Sequence, residues 1–457
     1  MLRSLAAALM LAFIMLLTSC GADTPVGSSK KSYNVLIIMG DDFGQQELPD
    51  VFTAGTANYT TTPNIDALAA SGVVFDRFYV EPQCGATRNS LATGQLPLTH
   101  GNVGWDGLID PTDQPSIFRG VKDANPRYAT GAFGKIGLWA DTTNETAALL
   151  GVDRLAGNIG GAVTDFISWA ESKYVNGVVT VDEVTSTTYL TDYTTDAFES
   201  WVTGLDGQPW FAWVSYNSPH QPVHDPVDAR AATTGKTCNL TSPEDCFKAQ
   251  IEDVDAEVGE IVATLTALGE LDNTLICFLG DNGADIYNGD GKATMFEAGV
   301  NVGMVCGYGP IVSPGRILTT ELFSVQDLWP LMQQAVGGQA VPVARYQVGD
   351  PSIWSALRAS DTGWGKERFM VTETLCDRGV VSSVSGEAAY RFEFDLCQTD
   401  IGLIEFGVSE TTNLCTDSTD CSNLKGGELT AYTAMRAWVD QQVSQHPNVN
   451  GNFGKVY

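Results

Sequence analysis

Five short apolar runs, over residues 34–39, 130–133, 211–214, 274–279 and 303–306, constrain the fold of this chain more than any other feature. Each is too short for a helix and too continuous for a strand with one wet face, so each reads as a strand buried on both sides. Helical patterns lie between them. Thr62 can cap one helix, with Pro63 in its first turn, an apolar face of Ile65, Leu68 and Ala69, and Gly72 at its end. A second runs from near Thr87 to Gly94. A third, over 247–268, carries the stripe Ile251, Val254, Val258, Ile261, Val262 and Leu265. Strands alternating with helices predict an α/β fold, a large, mostly parallel (mixed) sheet sandwiched by helices, over residues 32–345. Beyond it, alternating segments at 369–372, 379–384, 390–394 and 403–406 precede a helical pattern over 428–443. They predict a small C-terminal antiparallel sheet with one helix over 346–457.

The first nineteen residues belong to neither region. Arg3 is followed by a Leu/Ala/Met/Ile/Phe run that ends in Leu17-Thr18-Ser19-Cys20. Residues 1–19 read as a secretory signal peptide with a bacterial lipoprotein cleavage box, a soluble exported protein being the rival reading. Cys20 would then carry lipid, and residues 20–31, rich in Gly, Ser and Lys, would tether the fold to the membrane in the periplasm or on the outer cell surface. Past the tether no apolar run reaches the roughly 20 residues of a spanning helix, so membrane contact is expected through the anchor alone.

The net charge is −30. Such a surface repels nucleic acid and other polyanions at long range, while a local basic pocket can still hold one anionic group. Ten cysteines in an exported chain point to disulfides. Cys238/Cys246 and Cys415/Cys421 look like loop staples, Cys376/Cys397 could join two C-terminal strands, and Cys277 and Cys306 read as buried thiols.

Ligands of open parallel sheets bind beyond the carboxyl ends of the strands. There the chain places Asp41-Asp42, Gly134-Lys135, Ser218-Pro219-His220 and Asp281-Asn282, so carboxylates, a carboxamide, a lysine and a histidine share one rim. Asp41, Asp42, Asp281 and Asn282 form an all-oxygen set suited to a hard cation such as calcium or magnesium rather than zinc.

The stretch Cys84-Gly85-Ala86-Thr87-Arg88-Asn89-Ser90-Leu91-Ala92-Thr93-Gly94 puts a cysteine just before a helix N-terminus. It resembles the signature of the formylglycine-dependent sulfatase family, in the alkaline phosphatase-like superfamily, through Cys84, Ala86, Arg88, Leu91, Thr93 and Gly94. The segments 34–42, 62–69, 189–192, 217–220, 272–276 and 280–283 look like further family motifs in family order, as does Glu410-Thr411-Thr412-Asn413-Leu414. The resemblance implies that a formylglycine-generating maturation enzyme oxidises Cys84, and that the hydrated aldehyde attacks the sulfur of a sulfate ester. One Ca2+ would be held by Asp41, Asp42, Asp281, Asn282 and residue 84. Arg88 and Lys135 would steady the nucleophile and the sulfate charge, while His220 and Lys292 would hold the sulfate and the leaving oxygen. Export favours a sulfated carbohydrate as substrate.

The chain departs from the family where Gly137 stands in place of a histidine, Ala86 in place of the commoner proline, and Asn301-Val302-Gly303 in place of Arg-x-Pro. His224 could substitute for the missing histidine, contact substrate, or be a surface-loop residue. Two other functions stay open: a phosphonate monoester or phosphodiester hydrolase of the same superfamily, and a catalytically impaired surface protein that binds sulfated glycans. A two-zinc phosphatase needs more histidines than His100, His220, His224 and His446. The segment 141–184 is expected to be a loop region that decides how substrate enters.

Overall fold

The computed structural model describes residues 32–52, 60–102, 104, 116–138, 143–226, 238, 242–285, 291–309, 312–337, 353–358, 369–373, 377–382, 390–395, 401–405, 433 and 437. The leader and tether, Cys376, Cys397, Cys415, Cys421, the 410–414 motif and most of the helix expected over 428–443 lie outside them.

The five apolar runs are strands of one sheet: β1 (Asn34–Gly40), β4 (Ala129–Gly134), β8 (Trp210–Ser215), β9 (Thr274–Gly280) and β10 (Met304–Gly307). Short strands β2 (Val73–Phe75) and β11 (Arg316–Leu318) extend it on one side. On the other lie β5 (Arg154–Gly157), β6 (Trp169–Val175) and β7 (Val178–Ser186). The order is β11-β2-β10-β9-β1-β8-β4-β5-β6-β7. Strands β9, β1, β8, β4 and β5 run parallel, so their carboxyl ends share one edge, while β10, β6 and β7 pair antiparallel to their neighbours. The pair β3 (Phe78–Tyr79) and β12 (Phe323–Ser324) forms a separate two-stranded ladder.

Alternation along fully buried strands builds two cores. Val35, Ile37, Met39, Phe211, Trp213, Leu275 and Leu279 face one layer, and Leu36, Ile38, Ala212, Val214, Ile276 and Phe278 the other. The first layer is covered by α2 (Cys84–Thr93), α4 (Ile117–Ala124) and α9 (Leu328–Ala335), the second by α1 (Pro63–Ala70), α6 (Leu190–Thr203) and α7 (Pro243–Ala267). Shorter helices are α3 (Pro97–His100), α5 (Thr143–Leu150), α8 (Glu297–Val300) and α10 (Ile353–Arg358), whose Ile353, Ala356 and Leu357 join the first core.

Several details differ from expectation. Thr62 does not cap α1 with its side chain; Asp255 of α7 accepts from the backbone N–H groups of Asn64 (3.0 Å) and Ile65 (2.8 Å) instead. A carboxylate from a neighbouring helix does the capping job, which local sequence cannot disclose. Helix α1 ends at Ala70, and Gly72 serves a different need: a Cβ there would lie 1.9 Å from the Cys306 carbonyl oxygen. Cys277 and Cys306 are not buried thiols. They sit directly opposite each other on antiparallel β9 and β10 and form a disulfide, as do Cys238 and Cys246. The segment 141–184 is not a loop region but holds α5, β5, β6 and most of β7. A four-stranded antiparallel sheet of Phe369–Glu373, Asp377–Ser382, Tyr390–Asp395 and Ile401–Glu405 forms the small second sheet.

Candidate active site

The shared edge of the parallel strands assembles the site. Asp41 and Asp42 follow β1, Lys135 follows β4, Asp281 and Asn282 follow β9, and the segment after β8 leads to His220. Chain direction forces this convergence: parallel strands deliver the residues just past their carboxyl ends to one place. Cys84 is the first residue of α2, three positions earlier than the helix was expected to start.

Asp42 adopts a left-handed backbone (φ 59°), a conformation aspartate tolerates better than most residues. This turn lets its N–H donate to Asp281 Oδ1 at 3.0 Å, joining the β1 and β9 termini. Arg88, fully buried, donates Nε (3.0 Å) and Nη2 (2.8 Å) to Asp281 Oδ2 and Nη1 to the Lys135 carbonyl oxygen (2.6 Å). Lys135 Nζ bonds Asp41 Oδ2, and Lys292 Nζ lies 2.6 Å from Asp42 Oδ1. Three cations thus meet three carboxylates one to one.

The pairing leaves oxygen atoms over. Asp41 Oδ1, Asp42 Oδ2 and Asn282 Oδ1 are buried and receive no hydrogen bond. Asn282 directs its amide N–H groups elsewhere, to Asp42 Oδ1 (2.7 Å) and the Gly283 carbonyl (2.8 Å). A buried acceptor without a donor costs about 1–3 kcal/mol, so three in one cradle call for a bound cation. An all-oxygen donor set fits calcium or magnesium. Two nearby groups could complete it. Cys84 Sγ and carboxylate oxygens of Asp41 and Asp281 lie within 4.8 Å of one another, as do oxygens of Asp41 and Asp42 with a ring nitrogen of His220.

Charge states follow from these contacts. Burial pushes the Asp41 carboxyl up, but Lys135 and the neighbouring cations outweigh it and hold the group below the usual carboxylate range. Asp281 is raised by burial and by the charge of Asp41. Burial pulls Lys292 down, yet Asp42 and Asp41 hold its ammonium well above the ordinary lysine value, and Asp41 does the same for Lys135. Burial raises the Cys84 thiol, so an unmodified cysteine stays protonated and weakly nucleophilic at neutral pH. His220 donates Nδ1–H to the Gln221 carbonyl oxygen (2.7 Å), which leaves Nε2 facing Asp42 Oδ2 at 3.9 Å.

All nine residues expected at the rim are therefore brought together. His224 is not among them. Its Nε2 meets the Tyr189 hydroxyl at 3.0 Å and its Nδ1 the Pro222 carbonyl at 2.9 Å, so neither nitrogen is available as a base for residue 84. Gly137 has φ +64°, and a Cβ there would lie 2.8 Å from Arg88 Cδ, so any side chain would have to displace the arginine.

Sequence reasoning missed a brace beneath the site. Asn102 N–H donates to His100 Nδ1 (3.2 Å), which puts the ring proton on Nε2, facing Ser90 Oγ at 3.1 Å; Ser90 in turn donates to Glu81 Oε1 at 3.1 Å. Gln326 Nε2 donates to the same Glu81 oxygen, and Thr87 Oγ1 bonds both backbone groups of Glu81. This network locks the first turns of α2, and with them residue 84. Ser90 lay in view as a variable position of the motif, but nothing in the sequence tied it to His100.

The sulfatase family model matches residues 33–335. The chain belongs to the sulfatase family. Arylsulfatase A of Bos taurus is 26% identical over 349 residues, 67% of this chain and 64% of the bovine protein. The chain thus matches somewhat under two thirds of that relative's length. A sulfatase of Formosa agariphila is 23% identical over 89% of this chain and 88% of its own. Among solved structures, Ps i-CgsB in complex with k-i-k-neocarrahexaose superposes with a TM-score of 0.70 at 22% identity, covering 91% of this chain and 93% of the other.

Proposed function

We propose that this sulfatase hydrolyses sulfate esters of extracellular carbohydrates, using formylglycine made from Cys84 and one calcium ion. The observation that carries the reading is the cradle itself, where three buried oxygens lack donors beside a residue at the head of a helix and three fixed cations. Asp41, Asp42, Asp281 and Asn282 would hold the ion. Bound there, a hard cation supplies Lewis-acid polarisation of a sulfate oxygen, and formylglycine supplies a hydrated aldehyde as nucleophile.

The chain's own residues do the rest. Arg88 ties Asp281 to the end of β4 and so fixes the spacing between metal ligands and Lys135. Lys135 and Lys292, held protonated, present positive charge where a sulfate group would lie. His220, with Nδ1–H donating to the Gln221 carbonyl, would give a proton from Nε2 to the departing alcohol oxygen only as the imidazolium. Burial of Asp41, Asp42, Asp281, Arg88 and Lys135 keeps bulk water from their contacts and strengthens them. A carbohydrate substrate is supported by the saccharide complex of Ps i-CgsB. Export with lipid on Cys20, which would place the enzyme beside such polymers, is part of the same proposal.

The test is chemical. Trypsin should release residues 78–88 as one peptide whose residue 84 reacts with a hydrazide probe, and turnover should scale with the aldehyde fraction. Full sulfate release by protein carrying only a free thiol at position 84 would sink the mechanism.

A further inference from the structure

Resting on the proposed role of His220 as acid, we infer that His224 is its positioning residue, holding the stretch of backbone that aims the His220 ring. The two histidines hold successive carbonyls. His220 donates Nδ1–H to the Gln221 carbonyl oxygen at 2.7 Å. The Pro222 carbonyl oxygen lies 2.9 Å from His224 Nδ1, which must carry the proton there because a carbonyl only accepts. Gln221 and Pro222 are exposed, so packing alone does not fix their peptide planes. If the Gln221 carbonyl turned away, the His220 ring would lose the contact that sets its tautomer and the direction of Nε2.

His224 is itself fixed to the helix layer. The Tyr189 hydroxyl, just before α6, stands 3.0 Å from its Nε2 and donates to Asp253 of α7 at 2.9 Å. Gln250, also on α7, accepts from the His224 backbone N–H at 3.3 Å. The ring packs against Phe166, in the segment after β5, with centroids 4.2 Å apart. Tyr189, Phe166, Gln250 and Asp253 are buried, and Val223 packs on the second core. At the near end of the stretch the His220 N–H donates to the Asn217 carbonyl at 3.0 Å. The two exposed residues therefore span a gap whose ends are both fixed. Phe166, Tyr189, Gln250 and Asp253 are not cradle residues, so the influence of His224 on the reaction passes through His220. It should be felt where a proton is needed most: a departing sugar alkoxide is strongly basic, whereas a nitrophenolate leaves with little help.

The experiment measures kcat and KM of calcium-loaded protein with a verified aldehyde on nitrophenyl sulfate and on the fastest-cleaved of a panel of monosulfated methyl glycosides. His220→Ala should lower kcat on the glycoside by about a hundredfold or more, the usual size of a lost acid, and on the aryl ester far less. His224→Ala should repeat that pattern at about tenfold or more on the glycoside, with kcat on the aryl ester and both KM values within about threefold of the parent. Tyr189→Phe, which keeps the Pro222 contact, should act in the same direction and more weakly. Added to His220→Ala, His224→Ala should cost no more than about twofold further, because a residue that acts through another has nothing left to position. Calcium content and aldehyde fraction should match the parent in every variant. Losses from His224→Ala that are equal on the two esters, that multiply with those of His220→Ala, or that follow a fall in calcium assign it a purely structural role. Those outcomes, or a His224→Ala variant as fast as the parent on the glycoside, overturn the inference while the acid role of His220 stands. A His220→Ala variant as fast as the parent overturns that role and the inference together, and release of sulfate from no glycoside overturns the carbohydrate reading as well.

Discussion

Two buried polar clusters lie at the head of α2, and they are built on opposite rules. In the brace, His100, Ser90 and Glu81 form a continuous chain of hydrogen bonds, and none of their side-chain atoms is left unpaired. In the cradle, Asp41, Asp42 and Asn282 each keep one buried oxygen without a donor. Folding satisfies polar groups wherever it can, because an orphan is costly. A cluster that stays unsatisfied in the folded chain is therefore shaped for something that arrives from outside. The same comparison separates His220, with one ring nitrogen facing the cradle, from His224, with both nitrogens bonded to protein.

The largest effect that could break this contrast is expected at Asp281. Asp281→Ala removes a candidate metal ligand and strips Arg88 of its buried partner, a loss on the order of 3–5 kcal/mol of stability. Activity and bound calcium should disappear together, measured by sulfate release and by metal analysis of the purified variant. Retention of stoichiometric calcium would show that the ion sits elsewhere.

The parallel core was legible because strands buried on both faces have an unmistakable composition, as in Asn34–Gly40 and Thr274–Gly280. The rim was legible for the same reason, since the residue after such a strand has a known destination. Strands β2, β5 and β11 escaped notice because three or four residues carry no periodicity, and the β6–β7 hairpin because its exposed face reads as a polar loop. The Cys277–Cys306 bond was hidden because pairing depends on which strands are neighbours, and β9 and β10 bring together cysteines at a sequence separation of 29. Asp255 capping α1 and His100 bracing α2 are also long-range facts, made by packing between elements rather than by local pattern.

Removing the ion offers a smaller but sharper test. If the orphan oxygens are metal ligands, chelation should lower the thermal midpoint, and added calcium should restore it. The stabilisation expected at a hundredfold excess over Kd is about 2.7 kcal/mol. Scanning calorimetry with and without chelator measures it directly. A midpoint unmoved by calcium would mean that the unpaired oxygens of Asp41, Asp42 and Asn282 have another occupant.

The smallest expected effect tests the brace. Burial disfavours the imidazolium of His100 and depresses its pKa from 6.5 to about 3. An unfolded chain takes up this proton near pH 6.5, whereas the folded protein resists until about pH 3. The stabilising contribution of neutral His100 is therefore complete above about pH 6.5 and is lost as pH falls toward 3, by up to about 1.4 kcal/mol per unit. His100→Gln keeps an amide donor for Ser90 but has no titrating group. It should cost about 1–2 kcal/mol at pH 7 through imperfect packing and hydrogen bonding, then gain on the parent steadily below pH 6. Urea melts of both proteins across pH 4.5–7.5 would read the difference free of the other titrating groups they share. Because the brace bears on the cradle only through α2, the calcium-dependent shift in midpoint should be the same in both. Parallel pH profiles would place the protonated histidine comfortably inside the fold and remove the reason for treating the brace as a satisfied, ligand-free network.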